Sequence, residues 1–253
     1  MSNNLRKTRN AAALSGGALV VAAPFIGAGT AAATGSTFTV TNTNGSGPDS
    51  LQAAVDAANA NPDADTIVFA AGVNGTISLT HALYLQHSVD IQGPGAAVIT
   101  IDGNDTAPVF YTRDSSGLAD ISISGLTVSG GGGGQGGGVT TWGDHVVLDH
   151  LVITGNHGTY AGGVYFTNYD GDTSTLTIRN STITGNTGDS YAGGVYVFRA
   201  GAAESVGVTI EDSTISGNTA TGAAGALYVG STSPGDILIR NTTISGNTAA
   251  WNG

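Results

Sequence analysis

The sequence contains no cysteine, so no disulfide framework can stabilise the fold, and packing and hydrogen-bond ladders must do so instead. Charged residues make up only 10% of the chain, and the single lysine, Lys7, lies near the N-terminus. No later segment is an apolar run of ~20 residues, so we predict no membrane span in the mature chain. What the chain has in excess is glycine, with 41 residues, more than an ordinary domain contains.

Residues 1–33 are predicted to be a secretory signal. Three basic residues precede an apolar run, and "TAAAT" supplies the small residues needed for cleavage after Ala33. A membrane anchor is the alternative, but Pro24 and several glycines interrupt the apolar run before it reaches the length of a span. We therefore expect a secreted or cell-surface protein.

Removal of this signal makes the remaining chain strongly acidic. It keeps four arginines and no lysine against all 18 acidic residues, a formal net charge of −14. Such a surface repels the phosphates of nucleic acids and the headgroups of anionic lipids. We therefore predict no nucleic-acid partner.

One segment recurs along the second half of the chain. It reads "LVITGNHGTYAGGVYF" (151–166), "STITGNTGDSYAGGVYV" (181–197) and "STISGNTATGAAGALYV" (213–229), and a further copy begins with "TTISGNTAAWNG" (242–253). The glycine-rich stretch "SGGGGGQGGGV" (129–139) aligns as an earlier copy. It is therefore neither a linker nor a phosphate-binding loop, since no Gly-Lys-Ser/Thr follows it.

The residue pattern within each copy predicts short strands and no helix. The second copy contains three β-favouring runs with a period of two, "TLTI" (175–178), "STIT" (181–184) and "GVYVF" (194–198), separated by turns. Three strands in roughly 30 residues describe one coil of a parallel β-helix, with six to eight coils in all. The columns predicted to point inward are Ile153, Ile183, Ile215 and Ile244 on one wall and Val139, Val164, Val195 and Leu227 on another.

The corners between these strands carry asparagine and glycine. An asparagine follows a glycine in each of the four later copies, where the glycine-rich copy has Gly131. Asparagine tolerates left-handed backbone geometry and can bond the same amide in the coils above and below. Paired glycines such as Gly162 and Gly163 allow the next corner to bend and backbones to approach closely. The predicted asparagine ladder consists of Asn156, Asn186, Asn218 and Asn247.

The N-terminal segment of the mature chain, residues 34–74, is predicted to contain a strand and a short capping helix. In "DSLQAAVDAANANP" (49–62), Asp49 or Ser50 can cap the helix and an apolar stripe begins at Leu51. The β-helix then occupies residues 75–253. Because the sequence stops before the next "GGV" strand, we expect a chain truncated at its C-terminus, whose open strand edges could support end-to-end self-association.

The alternation of "TIxGN" with "GG-V-aromatic" resembles the repeats of chlamydial polymorphic outer-membrane proteins and of exported bacterial right-handed parallel β-helix proteins. The segment "TVTNTNGSGPDSLQAAVDAANANPDADTIVFA" (39–70) is similar to the start of the same group, in which a strand and a helix precede the first coil. The resemblance implies an all-β, right-handed parallel β-helix that is exported, and it leaves the activity open because such repeats serve different roles.

One strand offers candidates for catalysis. "VVLDHLVI" (146–153) resembles a strand of the pectate lyases, which implies a polysaccharide lyase or glycoside hydrolase with Asp149 and His150 in its cleft. In the repeat alignment, however, the two residues occupy a variable polar corner that other copies fill with Arg179-Asn180 or Glu211-Asp212. The histidines show no metal-ligand spacing, and we predict neither a metal nor another cofactor.

A column of aromatic residues offers candidates for binding. If the valines of the third strand point inward, tyrosines on the same strand point outward, and two further rings follow two residues along. Aromatic side chains in a row suit the apolar faces of sugars, although stacked tyrosines could instead stabilise the sheet or lie under a side loop. The sequence therefore favours a non-catalytic module that binds an extracellular glycan or a surface protein, with a lyase or hydrolase and a structural spacer as alternatives. The candidate contacts are Trp142, Tyr165, Tyr196, Phe198 and Tyr228.

Overall fold

The structure is a computed structural model that describes residues 35–113, 118–168, 173–199, 207–231 and 236–251. The predicted signal, residues 1–33, lies outside these ranges. Within them, no helix has the length and apolarity needed to cross a bilayer.

The described residues form short strands and one short helix. From the N-terminus these are β1 (Thr37–Val40), α1 (Leu51–Ala58), β2 (Asp65–Phe69), β3 (Gly75–Ser78), β4 (Leu83–Leu85), β5 (Val89–Gln92), β6 (Ile99–Asp102) and β7 (Phe110–Thr112). There follow β8 (Asp120–Ser124), β9 (Thr127–Ser129), β10 (Gly134–Gly136), β11 (Val139–Trp142), β12 (His145–Asp149), β13 (Val152–Thr154), β14 (His157–Ala161) and β15 (Val164–Thr167). The last are β16 (Thr175–Arg179), β17 (Thr182–Thr184), β18 (Thr187–Gly188), β19 (Val195–Arg199), β20 (Gly207–Glu211), β21 (Thr214–Ser216), β22 (Thr219–Ala220), β23 (Leu227–Ser231), β24 (Ile237–Arg240), β25 (Thr243–Ser245) and β26 (Thr248–Ala249).

These strands build four parallel sheets that wind into about seven coils of roughly 29 residues. Each strand pairs with its counterpart one coil away, and every described pair is parallel. The predicted parallel β-helix is confirmed. The strand orders are β1-β2-β5-β8-β12-β16-β20-β24 (sheet A), β3-β6-β9-β13-β17-β21-β25 (sheet B), β4-β7-β11-β15-β19-β23 (sheet C) and β10-β14-β18-β22-β26 (sheet D).

The prediction of three strands per coil is wrong, because the later coils contain four. The segment after each ladder asparagine, expected to be a turn, pairs with the next coil at Thr187–Gly188 and at Thr219–Ala220 and so forms sheet D. These strands are only two residues long, too short to show a period of two in sequence.

The core consists of columns with one apolar side chain from each coil. Ile153 pairs in register with Ile183, which pairs with Ile215 and then Ile244. The first three are fully buried, whereas Ile244 in the last described coil is 46% exposed. Val139, Val164 and Val195 form a second buried column that ends at the partly buried Leu227.

Helix α1 lies at the N-terminal end and packs against β1, β2 and β4. Ser50 caps it, since its hydroxyl accepts a hydrogen bond from the backbone N–H of Ala53 at 3.2 Å. Its buried face contains Leu51 and Val55. The segment before residue 75 is more than a cap, because β1 and β2 extend sheet A itself.

The asparagine side chains form a continuous ladder beneath the corner that joins sheets B and D. The Oδ1 of Asn186 accepts hydrogen bonds from the backbone N–H and the Nδ2 of Asn156, at 3.0 and 2.9 Å. The Nδ2 of Asn186 donates to the carbonyl of Ile153 and to the Oδ1 of Asn218, at 2.9 and 3.0 Å. Every donor and acceptor of this buried amide is therefore used.

The left-handed backbone at this corner belongs to the glycine and not, as predicted, to the asparagine. Gly185 has φ +65° and its counterpart Gly217 has φ +62°, whereas Asn186 is outside the positive-φ region. The paired glycines act by close approach, since a Cβ on Gly163 would lie 2.6 Å from the carbonyl oxygen of Gly194. Glycine thus makes the bend, and asparagine satisfies the polar groups beneath it.

Replacement of Asn186 by alanine should leave buried amide and carbonyl groups of two neighbouring coils without partners. We expect the free energy of unfolding to fall by about 3 kcal/mol, since each unsatisfied buried group costs about 1–3 kcal/mol. Urea titration of Asn186→Ala measures this effect. The matched control is Asn180→Gly, which keeps the left-handed corner at φ 51° and removes only an exposed hydrogen bond to Asp149. Equal losses in the two variants would contradict the role of the ladder.

Candidate functional site

Three tyrosines stack on the outer face of sheet C. In-register pairing of β15, β19 and β23 aligns Tyr165 with Tyr196 and Tyr196 with Tyr228. The ring centroids are 5.2 and 5.4 Å apart, and the interplanar angle is 2° in both pairs. The rings are parallel because each is held one strand spacing from the next on the same sheet.

A second layer of tyrosines covers this stack. Tyr160 from β14 lies 5.8 Å from the rings of both Tyr165 and Tyr196. Tyr191, which follows β18, lies 5.3 Å from Tyr196 and 4.9 Å from Tyr228. The five rings form one cluster, and its inner members are buried, with Tyr165 only 6% and Tyr196 only 7% exposed.

The expectation that Tyr165 and Tyr196 present free rings to solvent is therefore wrong. Both point away from the core as predicted, but Tyr160 of β14 and Tyr191 of the connection from sheet D to sheet C cover them. Burial, and to a smaller extent the neighbouring tyrosine hydroxyls, raises the pKa of Tyr196 well above its usual value. These two residues can support a binding surface but cannot form it.

The other predicted contacts lie at the edges of the same cluster. Trp142 is half-buried, 5.6 Å from Tyr165, and Phe198 is half-buried, 6.4 Å from Tyr196. The structure thus brings all five predicted residues together, with Trp142, Phe198 and Tyr228 partly open to solvent. The covering tyrosines could have been found from the repeated "YAGG" in two of the aligned copies.

The same outer column continues towards the N-terminus with two tyrosines that the sequence analysis missed. Tyr84 pairs in register with Tyr111, and their rings lie 5.4 Å apart at 52°. Tyr84 is 49% exposed. A groove of about 330 Å³ lies here, lined by these two rings together with Leu85, Gln86 and Arg113. The copies at this end lack the "YAGG" segment that supplies the covering tyrosines of the later coils.

Asp149 and His150 form part of a hydrogen-bonded corner between sheets A and B. The Oδ1 of Asp149 lies 2.7 Å from the Nδ1 of His150 and accepts a hydrogen bond from the Nδ2 of Asn180 at 2.9 Å. The Oδ2 of Asp149 lies 3.1 Å from a guanidinium nitrogen of Arg179. A later corner repeats this ion pair between Glu211 and Arg240.

This arrangement gives Asp149 little capacity for proton transfer. Partial burial acts to raise its pKa, but the hydrogen bond from Asn180 and the charges of Arg179 and His150 outweigh that effect and lower the pKa. A carboxylate with a lowered pKa and both oxygens occupied is a weak general base at neutral pH. His150 occupies the left-handed corner position, with φ 52°, that Asn180 fills in the next coil. Across the described ranges, no group of three or more acidic or histidine side chains could hold a metal ion.

Comparison with known proteins identifies the family of the repeats. A family model described as "Right handed beta helix region" matches residues 76–249. A solved structure from Geobacillus virus E2, ORF18, shares 14% sequence identity and gives a TM-score of 0.38. The match covers 80% of this chain and 61% of that one. No curated protein matches the chain.

The burial of Tyr196 predicts that this ring contributes to stability. Tyr196→Ala should lower the free energy of unfolding by about 3 kcal/mol, because it removes a large buried side chain and its ring contacts on several sides. Tyr196→Phe is the matched control, and since it keeps the ring it should retain most of that stability. Thermal and urea unfolding measure both, and an unchanged midpoint for Tyr196→Ala would show that the cluster is loosely packed.

The corner around Asp149 predicts a small, pH-dependent effect. Because the folded-state pKa is lowered, the carboxylate contributes stability above its ordinary pKa of 3.8 and loses that contribution as the pH falls through the lowered value. Asp149→Asn should therefore cost less than about 1 kcal/mol at pH 7, as is usual for an exposed ion pair. The difference should vanish in strong acid. Urea titrations across this pH range measure it, with the exposed Asp120→Asn as control; a constant difference would contradict the pKa shift.

Proposed function

The chain belongs to the right-handed β-helix family, and from that premise we propose that it is a non-catalytic module that binds an extracellular glycan. The observation that carries the proposal is the outward aromatic column of sheet C, which leaves rings open to solvent at its N-terminal end. Such rings can stack against the apolar faces of sugars. Secretion or display at the cell surface, as expected from residues 1–33, is part of this proposal.

The groove at Tyr84 and Tyr111 is the best-suited part of the column. Its two tilted rings form an open aromatic wall, and Gln86 and Arg113 belong to the same lining. Amide and guanidinium groups can donate hydrogen bonds to sugar hydroxyls and carboxylates. A groove of about 330 Å³ accommodates one or two sugar units of a longer chain.

The tyrosine cluster around Tyr196 then has a supporting role. Its stacked rings hold sheet C rigid, and its edges at Trp142, Phe198 and Tyr228 supply further apolar contacts along the same face. A polymer that lies along the helix axis would meet the groove first and the cluster edges further on. A rigid platform of this kind lowers the entropy lost on binding.

Replacement of the exposed ring tests the proposal. Tyr84→Ala should weaken binding to a retained polysaccharide by about fivefold, from the ~0.5–1.5 kcal/mol of a ring contact. Tyr84→Phe keeps the ring face and should bind nearly as well as the parent chain. The measurement is affinity electrophoresis against a panel of plant, microbial and animal polysaccharides, with calcium present. Equal retention of Tyr84→Ala and the parent chain would remove this groove as the site.

The same samples distinguish binding from catalysis. A binding module retains the polymer and releases no reducing or unsaturated fragments, whereas a polysaccharide lyase or glycoside hydrolase releases them. Fragments that disappear in Asp149→Ala or His150→Ala would replace the present proposal with a catalytic corner. Absence of both retention and fragments across the panel would favour a surface-protein ligand or a structural spacer.

A further inference from the structure

The outer face of sheet B carries a regular two-column array of hydroxyl side chains, which the glycan proposal does not use. Each of the seven strands of the sheet contributes one residue to each column, at alternate positions of the strand. All but two of these positions are threonine or serine. The first column is Thr76, Thr100, Thr127, Val152, Thr182, Thr214 and Thr243, and the second is Ser78, Asp102, Ser129, Thr154, Thr184, Ser216 and Ser245.

The array has fixed spacings in two directions. In-register pairing sets neighbouring residues of one column about 4.8 Å apart, and alternate residues of one strand lie about 6.6 Å apart. The pairing from β9 through β13, β17, β21 and β25 has no register shift. The ladder of Asn156, Asn186 and Asn218 follows these strands directly and fixes their positions relative to one another.

The hydroxyls of this face are largely free to meet a ligand. Thr154, Thr182 and Thr214 are half-exposed, and within the described part of the chain their side chains hydrogen-bond to no protein atom. Along the second column Ser216 donates a long hydrogen bond of 3.4 Å to Thr184, and in the first column Thr127 donates to the carbonyl of Ala96 at 2.7 Å. This contrasts with the asparagines and the inner tyrosines, whose amides and ring faces are occupied within the protein.

The face is also neutral, on a chain whose formal net charge is −11. Asp102 is the one charged residue among the array positions named above, and it lies near the N-terminal end. The outer face of sheet A, by comparison, carries Asp149, Arg179 and Glu211 in register. A neutral, hydroxyl-bearing lattice is complementary to an uncharged ligand with the same periodicity, and it repels neither sign of charge.

We propose that the outer face of sheet B binds ice. Tetrahedral water with O–H···O distances of about 2.75 Å places second-neighbour oxygens about 4.5 Å apart and gives a repeat along the hexagonal axis of about 7.3 Å. The corresponding spacings of the array are about 4.8 and 6.6 Å. Both repeats of the lattice thus have a counterpart on one face of the protein, to within about 0.3 Å along a column and about 0.7 Å between the columns.

The match extends over a few coils and needs no rearrangement of the backbone. The difference of about 0.3 Å per strand accumulates to only about 1 Å over the four strands from β13 to β25. Val152 has the same β-branched shape as threonine. It therefore removes one hydroxyl from the first column without changing the shape of the surface. Rigid strands also mean that little conformational entropy is lost when water orders on the array.

The test is whether the full chain shapes ice crystals and separates the freezing point from the melting point in nanolitre osmometry. The parent chain should show both effects. Thr184→Lys and Thr214→Lys, each of which places a long charged side chain in the centre of the array, should abolish them. The matched controls, Thr177→Lys and Thr209→Lys, make the same change on the outer face of sheet A in the same coils and should leave them intact.

Equal melting temperatures of the four variants would show that any loss comes from the surface and not from unfolding. Tyr84→Ala should leave ice shaping unchanged, which separates this proposal from the glycan site on sheet C. No ice shaping by the parent chain, or equal activity in the Thr184→Lys and Thr177→Lys variants, would overturn the proposal. Retention on crystalline cellulose that Thr184→Lys abolishes, without ice shaping, would also overturn it and assign the array to a polysaccharide lattice.

Discussion

The hydrogen bonds of the interior asparagines are the constraint on which the other features depend. A buried primary amide that lacks partners costs several kcal/mol, and Asn186 finds all of its partners only if the coils before and after it stand in one register. A slip of one residue would break the ladder and turn the apolar columns outward. The ladder therefore aligns the buried isoleucines, the stacked tyrosines and the hydroxyl array at once, since each is a column of equivalent residues.

The coils differ in length, and the same constraint decides where the difference is accommodated. The spacing from Ile153 to Asn156 recurs from Ile183 to Asn186, so the corner beside the ladder does not vary. From β12 onwards, variation is confined to the connections that lead into and out of sheet C. Those connections lie away from the ladder, where an added residue breaks no buried amide bond. One of them supplies Tyr191, whose ring covers part of sheet C.

The sequence was sufficient to predict the coil and its inward-facing columns. Both the period of two within strands and the period near 30 between copies are set by the side chains that must be buried in the core. It was insufficient for sheet D, whose strands are too short to show a period. For Tyr165 and Tyr196, alternation correctly predicted that they point away from the core. Whether an outward side chain is exposed depends on what lies over it, and that is a property of the folded connection and not of the strand. The groove at Tyr84 was missed because the early coils match the repeat poorly.

A side chain repeated in every coil of a solenoid can hold neighbouring coils together or contact a ligand. The two roles are distinguished by whether its polar atoms or ring faces have partners within the protein. Both donors and the acceptor oxygen of the Asn186 amide are hydrogen-bonded within the protein, and the ring of Tyr196 has neighbouring rings on several sides. The asparagine and tyrosine columns therefore hold neighbouring coils together. The hydroxyl of Thr182 has no partner within the described chain, and the ring of Tyr84 is half-exposed. The stability of the sheet does not depend on a hydroxyl or an aromatic ring at these positions, because many side chains fit an outward-facing position of a strand. Periodicity that persists without an internal partner is therefore the feature that points to a ligand, and on this chain it lies on the outer faces of sheets B and C.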